Sequence, residues 1–325
     1  MKTSVKSLTL YTGTHGYKGC TCKCRFCTQK FLFNVPSYQG TSEEIERIIK
    51  ALPNLEDVYI LGNPDISVDT EFCNHAAKMF IEADCKVMFS TSGIGGKRTM
   101  EKLLNGLPPS KVKYVSFSVD SLNKETIRFL KGVNLPLDRI EEGIEYCIQN
   151  NFPVKIQPTL WSVNQNEIES IVRYFFSKYG IKWFTFHFGS LETYRGTENL
   201  HVSSDNIRRI HEKVKQLQQI YGLDVKMPMN MLNKTEYRFF HENYTTHCQD
   251  KHPRDIQVWM THKGLKASYC PIFSTVYPED SVFDLESEDK IAPGMDCKMC
   301  PVQKQTLGPN FQNNGYIPVC LYYKP

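Results

Sequence analysis

The chain has 325 residues, 41% of them hydrophobic and 23% charged, the balance of an ordinary globular protein with room for a large core. Thirty-nine Lys and Arg against 35 Asp and Glu give a net charge of +4, too small over this length to argue for nucleic acid or a membrane surface as partner. The first sixteen residues lack the unbroken apolar stretch of a secretory signal, and no apolar run approaches the roughly 20 residues that span a bilayer, so the expected setting is the cytoplasm.

The chain reads as an alternation of strands and helices. Strands are predicted over Val5 to Thr12, Asp57 to Leu61, Lys86 to Ser90, Lys113 to Val119, Pro153 to Gln157 and Lys182 to Phe188. Helices are predicted over Glu43 to Leu52 with Ser42 as its cap, Thr70 to Asp84, Lys97 to Asn105, Asn123 to Lys131, Leu137 to Gln149, Gln165 to Tyr179 and Ser204 to Tyr221. Six strand–helix alternations imply parallel β/α units, which place ligand-binding residues at the C-terminal ends of the strands. After Gly222 the rhythm fails. The remainder is rich in Pro, Gly, Asn and Cys, with a hairpin predicted across Ile256–Met260 and Leu265–Tyr269. The expected division is a core of residues 1–222 and a small module of residues 223–325.

Twelve cysteines need an explanation. In a reducing compartment they do not form a disulfide framework. Cys20, Cys22, Cys24 and Cys27 crowd one loop, and Cys248, Cys270, Cys297, Cys300 and Cys320 lie in the last third. Two groups of thiols at opposite ends suggest two metal sites. Cys20, Cys24 and Cys27 have the spacing C-x3-C-x2-C directly after the first strand, whereas a closed structural zinc site wants four ligands. Three soft thiolates on one loop suit an iron–sulfur cluster with one iron left open. A zinc knuckle drawing on Cys22 as a fourth thiol is the competing reading, and otherwise Cys22 is a bystander. Cys73, Cys85 and Cys147 fall in or beside core elements and read as inert buried thiols.

This spacing, with the aromatic Phe26 before the third cysteine, resembles the radical S-adenosylmethionine superfamily from about Lys2 to Phe188. The resemblance implies an α/β fold, a partial (β/α)6 barrel. It also implies a [4Fe–4S] cluster and S-adenosylmethionine, with one-electron reduction yielding a 5′-deoxyadenosyl radical that takes a hydrogen atom from substrate. An electron donor such as flavodoxin or ferredoxin is the implied partner. Gly62, Asn63, Pro64 and Asp65 stand where the family holds the methionine amino group, as a loose match to its Gly-Gly-Glu-Pro segment. Ser90 and Ser92 end strand three. Ser116, Ser118 and Asp120, at the end of strand four, stand where hydroxyls and a carboxylate contact ribose. Arg128 is placed to meet the methionine carboxylate. Ile156 and Gln157 stand where the family stacks on adenine.

Cys248, Cys270 and the pair Cys297 and Cys300 resemble the Twitch form of the SPASM extension, a cysteine-rich C-terminal module with one auxiliary [4Fe–4S] cluster. The chain has five residues between Gly264 and Cys270, where the family has four. A four-cysteine structural zinc is the alternative. Cys320 is a candidate hydrogen donor, as in some related epimerases, and His187 a candidate substrate contact.

The small auxiliary module resembles aminocyclitol dehydrogenases, which favours oxidation, epimerisation or rearrangement of a small polar substrate of sugar, cyclitol or nucleoside type. Modification of a ribosomally made peptide (thioether formation, carbon–carbon crosslinking or epimerisation) is the alternative. The first cysteine loop comes so early that no peptide-recognition domain is expected before it. A zinc-stabilised binding protein is a third reading.

Overall fold

The computed structural model describes residues 5–14, 20–27, 37–62, 65–188, 200, 202–227, 229–233, 244–246, 255–268, 283–285 and 316–323. In chain order the main strands are β1 (Ser7–Tyr11), β2 (Asp57–Leu61), β3 (Lys86–Thr91), β4 (Val112–Phe117), β5 (Val154–Ile156), β6 (Trp183–Thr185) and β7 (Asp224–Lys226), then the hairpin strands β8 (Asp255–Thr261) and β9 (Gly264–Ser268). The helices are α1 (Ser42–Ala51), α2 (Thr70–Glu82), α3 (Gly96–Leu104), α4 (Lys124–Lys131), α5 (Leu137–Gln149), α6 (Ile168–Tyr179) and α7 (Ser204–Tyr221). The architecture is α/β, with a parallel sheet alternating with helices as the partial radical-enzyme barrel requires.

Two compact units divide the chain: Met1–Ser118 with Ile127–Lys155 and His252–Ile291, and Val119–Thr126 with Ile156–Lys251 and Ala292–Pro325. In the first unit β1 pairs in parallel with β2, β2 with β3 and β3 with β4. The amide of Val115 donates to the carbonyl of Pro153 (2.8 Å), which brings β5 against β4. Alternation turns Leu8, Leu10, Val58, Ile60 and Phe89 to one face, where each is 0% exposed. Fully burying each such side chain contributes about 1.5–3 kcal/mol. The hairpin expected near Gly264 forms, and its strand β8 pairs in parallel with β1, Leu8 opposite Ile256 and Tyr11 opposite Trp259.

Helix α1 begins differently from the expectation. Thr41, not Ser42, is its cap: the Thr41 hydroxyl accepts from the Glu44 amide (3.3 Å), and the Glu44 carboxylate accepts from the Thr41 amide (3.0 Å). Only Thr41 has a glutamate three residues on, so only it completes a reciprocal capping box.

In the second unit β6 and β7 are parallel neighbours, and α6 and α7 end on Gly180 and Gly222, both left-handed (φ +67° and +59°). The predicted strand Lys182 to Phe188 is broken in two. The Phe186 amide donates to Lys226 on β7, whereas the His187 amide donates to Pro158, so His187–Phe188 leaves β6 and pairs with Thr159–Leu160. A change of partner strand at Phe186 ends the single run. Tyr316–Tyr323, which contains Cys320, pairs antiparallel with Met229–Asn233 and Tyr244–Thr246. Among the described residues, no helix is long and apolar enough to cross a membrane.

Candidate functional site

The cysteine loop is built against the last turn of α4. A helix leaves its final carbonyls without intrahelical partners. Here the Lys23 amide donates to the Lys131 carbonyl (2.8 Å) and the Arg25 amide to the Leu130 carbonyl (2.9 Å). The Arg25 side chain adds a bond from Nε to the Phe129 carbonyl (2.9 Å), and its guanidinium lies 4.2 Å from the centre of the Phe129 ring. Gly132 permits this approach. Its φ is +67°, and a Cβ there would stand 2.5 Å from the Lys23 carbonyl oxygen. The loop is thus fastened by main-chain bonds and one arginine, which leaves its sulfurs to other partners.

Cys20, Cys24 and Cys27 are half-buried and Cys22 is buried, all as free thiols. Cys22 hydrogen-bonds with both Cys20 and Cys24, and also with Ser92. Bonds from Cys20 and Cys24, with help from the Lys131 ammonium, hold Cys22 far below the ordinary thiol range, while the same bonds and burial push Cys20 and Cys24 up. Cys22 is therefore a neighbour of the other sulfurs and not remote from them. Among the described residues, no three His, Cys, Asp or Glu side chains surround a point as ligands of one metal ion. The donor set itself fits an iron–sulfur cluster: three soft thiols confined to one eight-residue segment, beside a buried cation that favours thiolates.

That cation is Lys131, which the sequence reading did not select. It is 3% exposed, donates to the Ser118 hydroxyl (2.8 Å), and its Nζ lies 5.7 Å from the Phe26 ring centre. Arg128, the residue expected to meet a carboxylate, is exposed on the same helix. The signal was present in the pattern: Ile127, Leu130 and Lys131 are the buried positions of α4, so Lys131 occupies its apolar stripe.

The strand-end residues divide by what already holds them. Gly62 is buried, and a Cβ there would fall 2.3 Å from the Ile66 amide nitrogen. The Asp65 carboxylate accepts from the Ser67 amide (2.9 Å), the Ser92 amide (2.8 Å) and the Thr91 hydroxyl (3.3 Å), tying the loop after β2 to the end of β3. Ser90 on β3 stands in register with Leu61 and Ser116, and Ser116 is 0% exposed.

Asp120 is 1% exposed, and its Oδ1 accepts from the Thr159 amide (2.7 Å). Asn164 bridges the carbonyls of Asp120 (2.6 Å) and Thr159 (2.9 Å). The side chain expected to face ribose is thus engaged in holding its own loop. Ile156 is 0% exposed and Gln157 is half-buried. His187 is half-buried on its short separate strand. Asn63, Pro64, Cys248, Cys270, Cys297 and Cys300 lie outside the described residues.

The sequence pattern of the radical SAM superfamily matches residues 15–175. Over that span the chain belongs to the radical SAM superfamily. The family implies a [4Fe–4S] cluster and S-adenosylmethionine. Among curated proteins, this radical SAM chain is 26% identical over 168 residues to GTP 3′,8-cyclase of Staphylococcus carnosus, covering 49% of the chain and 48% of that protein. It is 24% identical over 211 residues to AdoMet-dependent heme synthase of Methanosarcina barkeri, covering 64% and 58%. The chain therefore spans about half the length of the curated relatives it matches. Its fold is similar to Streptococcus suis SuiB bound to S-adenosylmethionine, with TM-score 0.59 at 17% identity over 88% of the chain and 64% of SuiB. It is also similar to anSMEcpe with bound AdoMet, with TM-score 0.60 at 15% identity over 95% and 82%.

Proposed function

We propose that this chain is a radical S-adenosylmethionine enzyme that takes a hydrogen atom from a small polar substrate of sugar, cyclitol or nucleoside type, leading to oxidation, epimerisation or rearrangement. The observation that carries the reading is the three-thiol loop at Cys20, Cys24 and Cys27, fastened through its backbone to the end of α4. Those thiolates would hold a [4Fe–4S] cluster, which would supply the one-electron reduction of S-adenosylmethionine needed to generate the hydrogen-abstracting radical.

The chain's own groups bind and orient. Lys131, buried beside Ser118 and Phe26, offers the methionine carboxylate a partner in a dry setting where a charge-assisted bond is strong. Asp65 holds the loops after β2 and β3 together, so the backbone near Gly62 keeps one shape. Ser116 and Ser118 supply hydroxyls at the end of β4, and Phe26 shields the thiols from water. Cys248, Cys270, Cys297 and Cys300 are the proposed ligands of an auxiliary cluster, with residues 223–325 as its module. Cys320 and His187 are the proposed hydrogen donor and substrate contact. A flavodoxin or ferredoxin is the proposed source of electrons.

A second reading, maturation of a ribosomal peptide, has its own support. The fold is similar to SuiB in a structure bound to the precursor peptide SuiA (TM-score 0.58) and to anSMEcpe with a bound Kp18Cys peptide (TM-score 0.55). The small-molecule reading draws on the cyclase relative, whose name gives GTP as its substrate.

The test begins with iron and sulfide analysis of anaerobically purified protein. About eight irons per chain support two [4Fe–4S] clusters and about four support one; zinc without iron sinks the enzyme reading. With dithionite and S-adenosylmethionine, 5′-deoxyadenosine is expected. Deuterium passing into it from a deuterated sugar, cyclitol or nucleoside favours the first reading, and passage from a deuterated peptide favours the second.

A further inference from the structure

The sheet of the first unit has two unlike faces. One packs on helices: the Phe117 ring lies where a Cβ on Gly143 of α5 would meet it at 3.1 Å, and the Thr12 hydroxyl is 4.0 Å from Cys73 of α2. Its strand residues are mostly aliphatic or Phe, with Thr91 and Lys113 the polar ones near the ends of β3 and β4. By alternation the other face carries Tyr11, Tyr59, Tyr114 and Lys155, with Trp259 from β8. A parallel sheet that serves only as core is apolar on both faces. The tyrosines, the tryptophan and Lys155 gather on this one face, and with Tyr11, Tyr59 and Tyr114 each half-buried they describe a surface suited to a ligand.

Lys155 stands out on that face. It is 9% exposed, and its Nζ sits 3.9 Å from the centre of the Tyr114 ring and 5.7 Å from that of Tyr59. The two rings meet edge to face at 6.1 Å and 69°. Tyr11 and Trp259 stack flat on each other at 5.0 Å and 9°. Ring faces attract an ammonium and fix its place. Two phenol groups flank that place, and phenols donate hydrogen bonds to anionic oxygens.

We infer that Lys155, Tyr59 and Tyr114 form an anion anchor for the substrate, taking a carboxylate or phosphate carried on a ring-shaped molecule. That the ligand is the substrate rests on the proposed radical chemistry at the end of this sheet; the anchor itself rests on the three side chains.

The test is isothermal titration of the anaerobic, cluster-loaded protein with benzoate, phenyl phosphate and neutral benzamide. At least one anion is expected to bind tenfold or more tightly than benzamide, about 1.4 kcal/mol. A preference for benzoate assigns a carboxylate, and a preference for phenyl phosphate a phosphate. Lys155→Met is expected to lose the anion preference and Lys155→Arg to keep it, with melting curves confirming that each folds. Equal binding of anions and benzamide by the unaltered protein overturns the anchor, as does an undiminished preference in a folded Lys155→Met. The comparison of probes on unaltered protein holds even if the variant fails to fold. Formation of 5′-deoxyadenosine is scored separately. Anion preference without it breaks the radical reading and leaves the anchor; the converse breaks the anchor alone.

Discussion

The loop after β1 and the loop after β4 solve the same problem in opposite ways. The cysteine loop, residues 20–27, is held chiefly by its backbone: the Lys23 and Arg25 amides fill open carbonyls of α4, with the Arg25 side chain adding one bond, so the fastening does not draw on the sulfurs. The segment from Val119 to Asn123 is held by its side chains. Asp120 caps the Thr159 amide, and Ser121 donates to the Glu167 carboxylate (2.6 Å), which also accepts from the Leu122 amide (3.1 Å). A polar residue at a strand end is therefore free for chemistry only where something else fastens its loop.

The largest test of this contrast removes the sulfurs. Cys20, Cys24 and Cys27 replaced together by Ala are expected to lose about four irons per chain and all formation of 5′-deoxyadenosine. Retained iron at that site would mean that these three sulfurs are not its ligands. Gly132→Ala attacks the fastening instead. With φ at +67° and the Lys23 carbonyl in the way, it is expected to cost about 1–3 kcal/mol and to lower iron content with the thiols intact. Unchanged iron in a folded Gly132→Ala would show that the loop holds without α4.

Asp120→Ala sharpens the other side. It leaves the Thr159 amide without its acceptor and is expected to cost about 1–3 kcal/mol in thermal or denaturant unfolding while iron content stays unchanged. Loss of S-adenosylmethionine binding without loss of stability would put Asp120 at the ligand and undo the comparison.

Asp69 is another buried carboxylate, whose two oxygens are unequally held. Its Oδ1 accepts from Gln39 (3.0 Å), while Oδ2 has no hydrogen-bond partner. Burial raises its pKa to about 6. Since the unfolded group titrates near about 3.9, folding favours the protonated form. Its contribution is complete below that value and is lost as pH rises through about 6. Asp69→Asn is expected to flatten stability between about pH 4 and 6, and an unaltered slope would assign the effect elsewhere. The smallest change lies outside both loops: Thr41→Ala, which breaks the α1 capping box, is expected to cost about 1 kcal/mol in the same unfolding measurement.

Much of this was legible in the order of residues, where the signal is local. The ends of α5 and α7 fall where periodicity puts them, whereas the cap of α1 was expected at Ser42 although the local signal Thr41-x-x-Glu44 lay one residue earlier. The cysteine spacing named the first site. What local pattern did not carry shares a different cause. The strand expected to run through Phe186 changes partner there, the Asp120 carboxylate accepts from the Thr159 amide, and β8 returns to pair with β1 from more than 240 residues away.

By itself, then, the sequence determined the three-thiol loop, the β/α alternation and the family chemistry, because spacing and periodicity act within a turn or a strand. Only the tertiary structure decided which polar side chains are already engaged. It alone brought Lys131 to the thiols and set Lys155 among tyrosines from two other strands of the sheet. Those outcomes depend on which distant groups satisfy one another's hydrogen bonds and charges, and no local pattern carries that information.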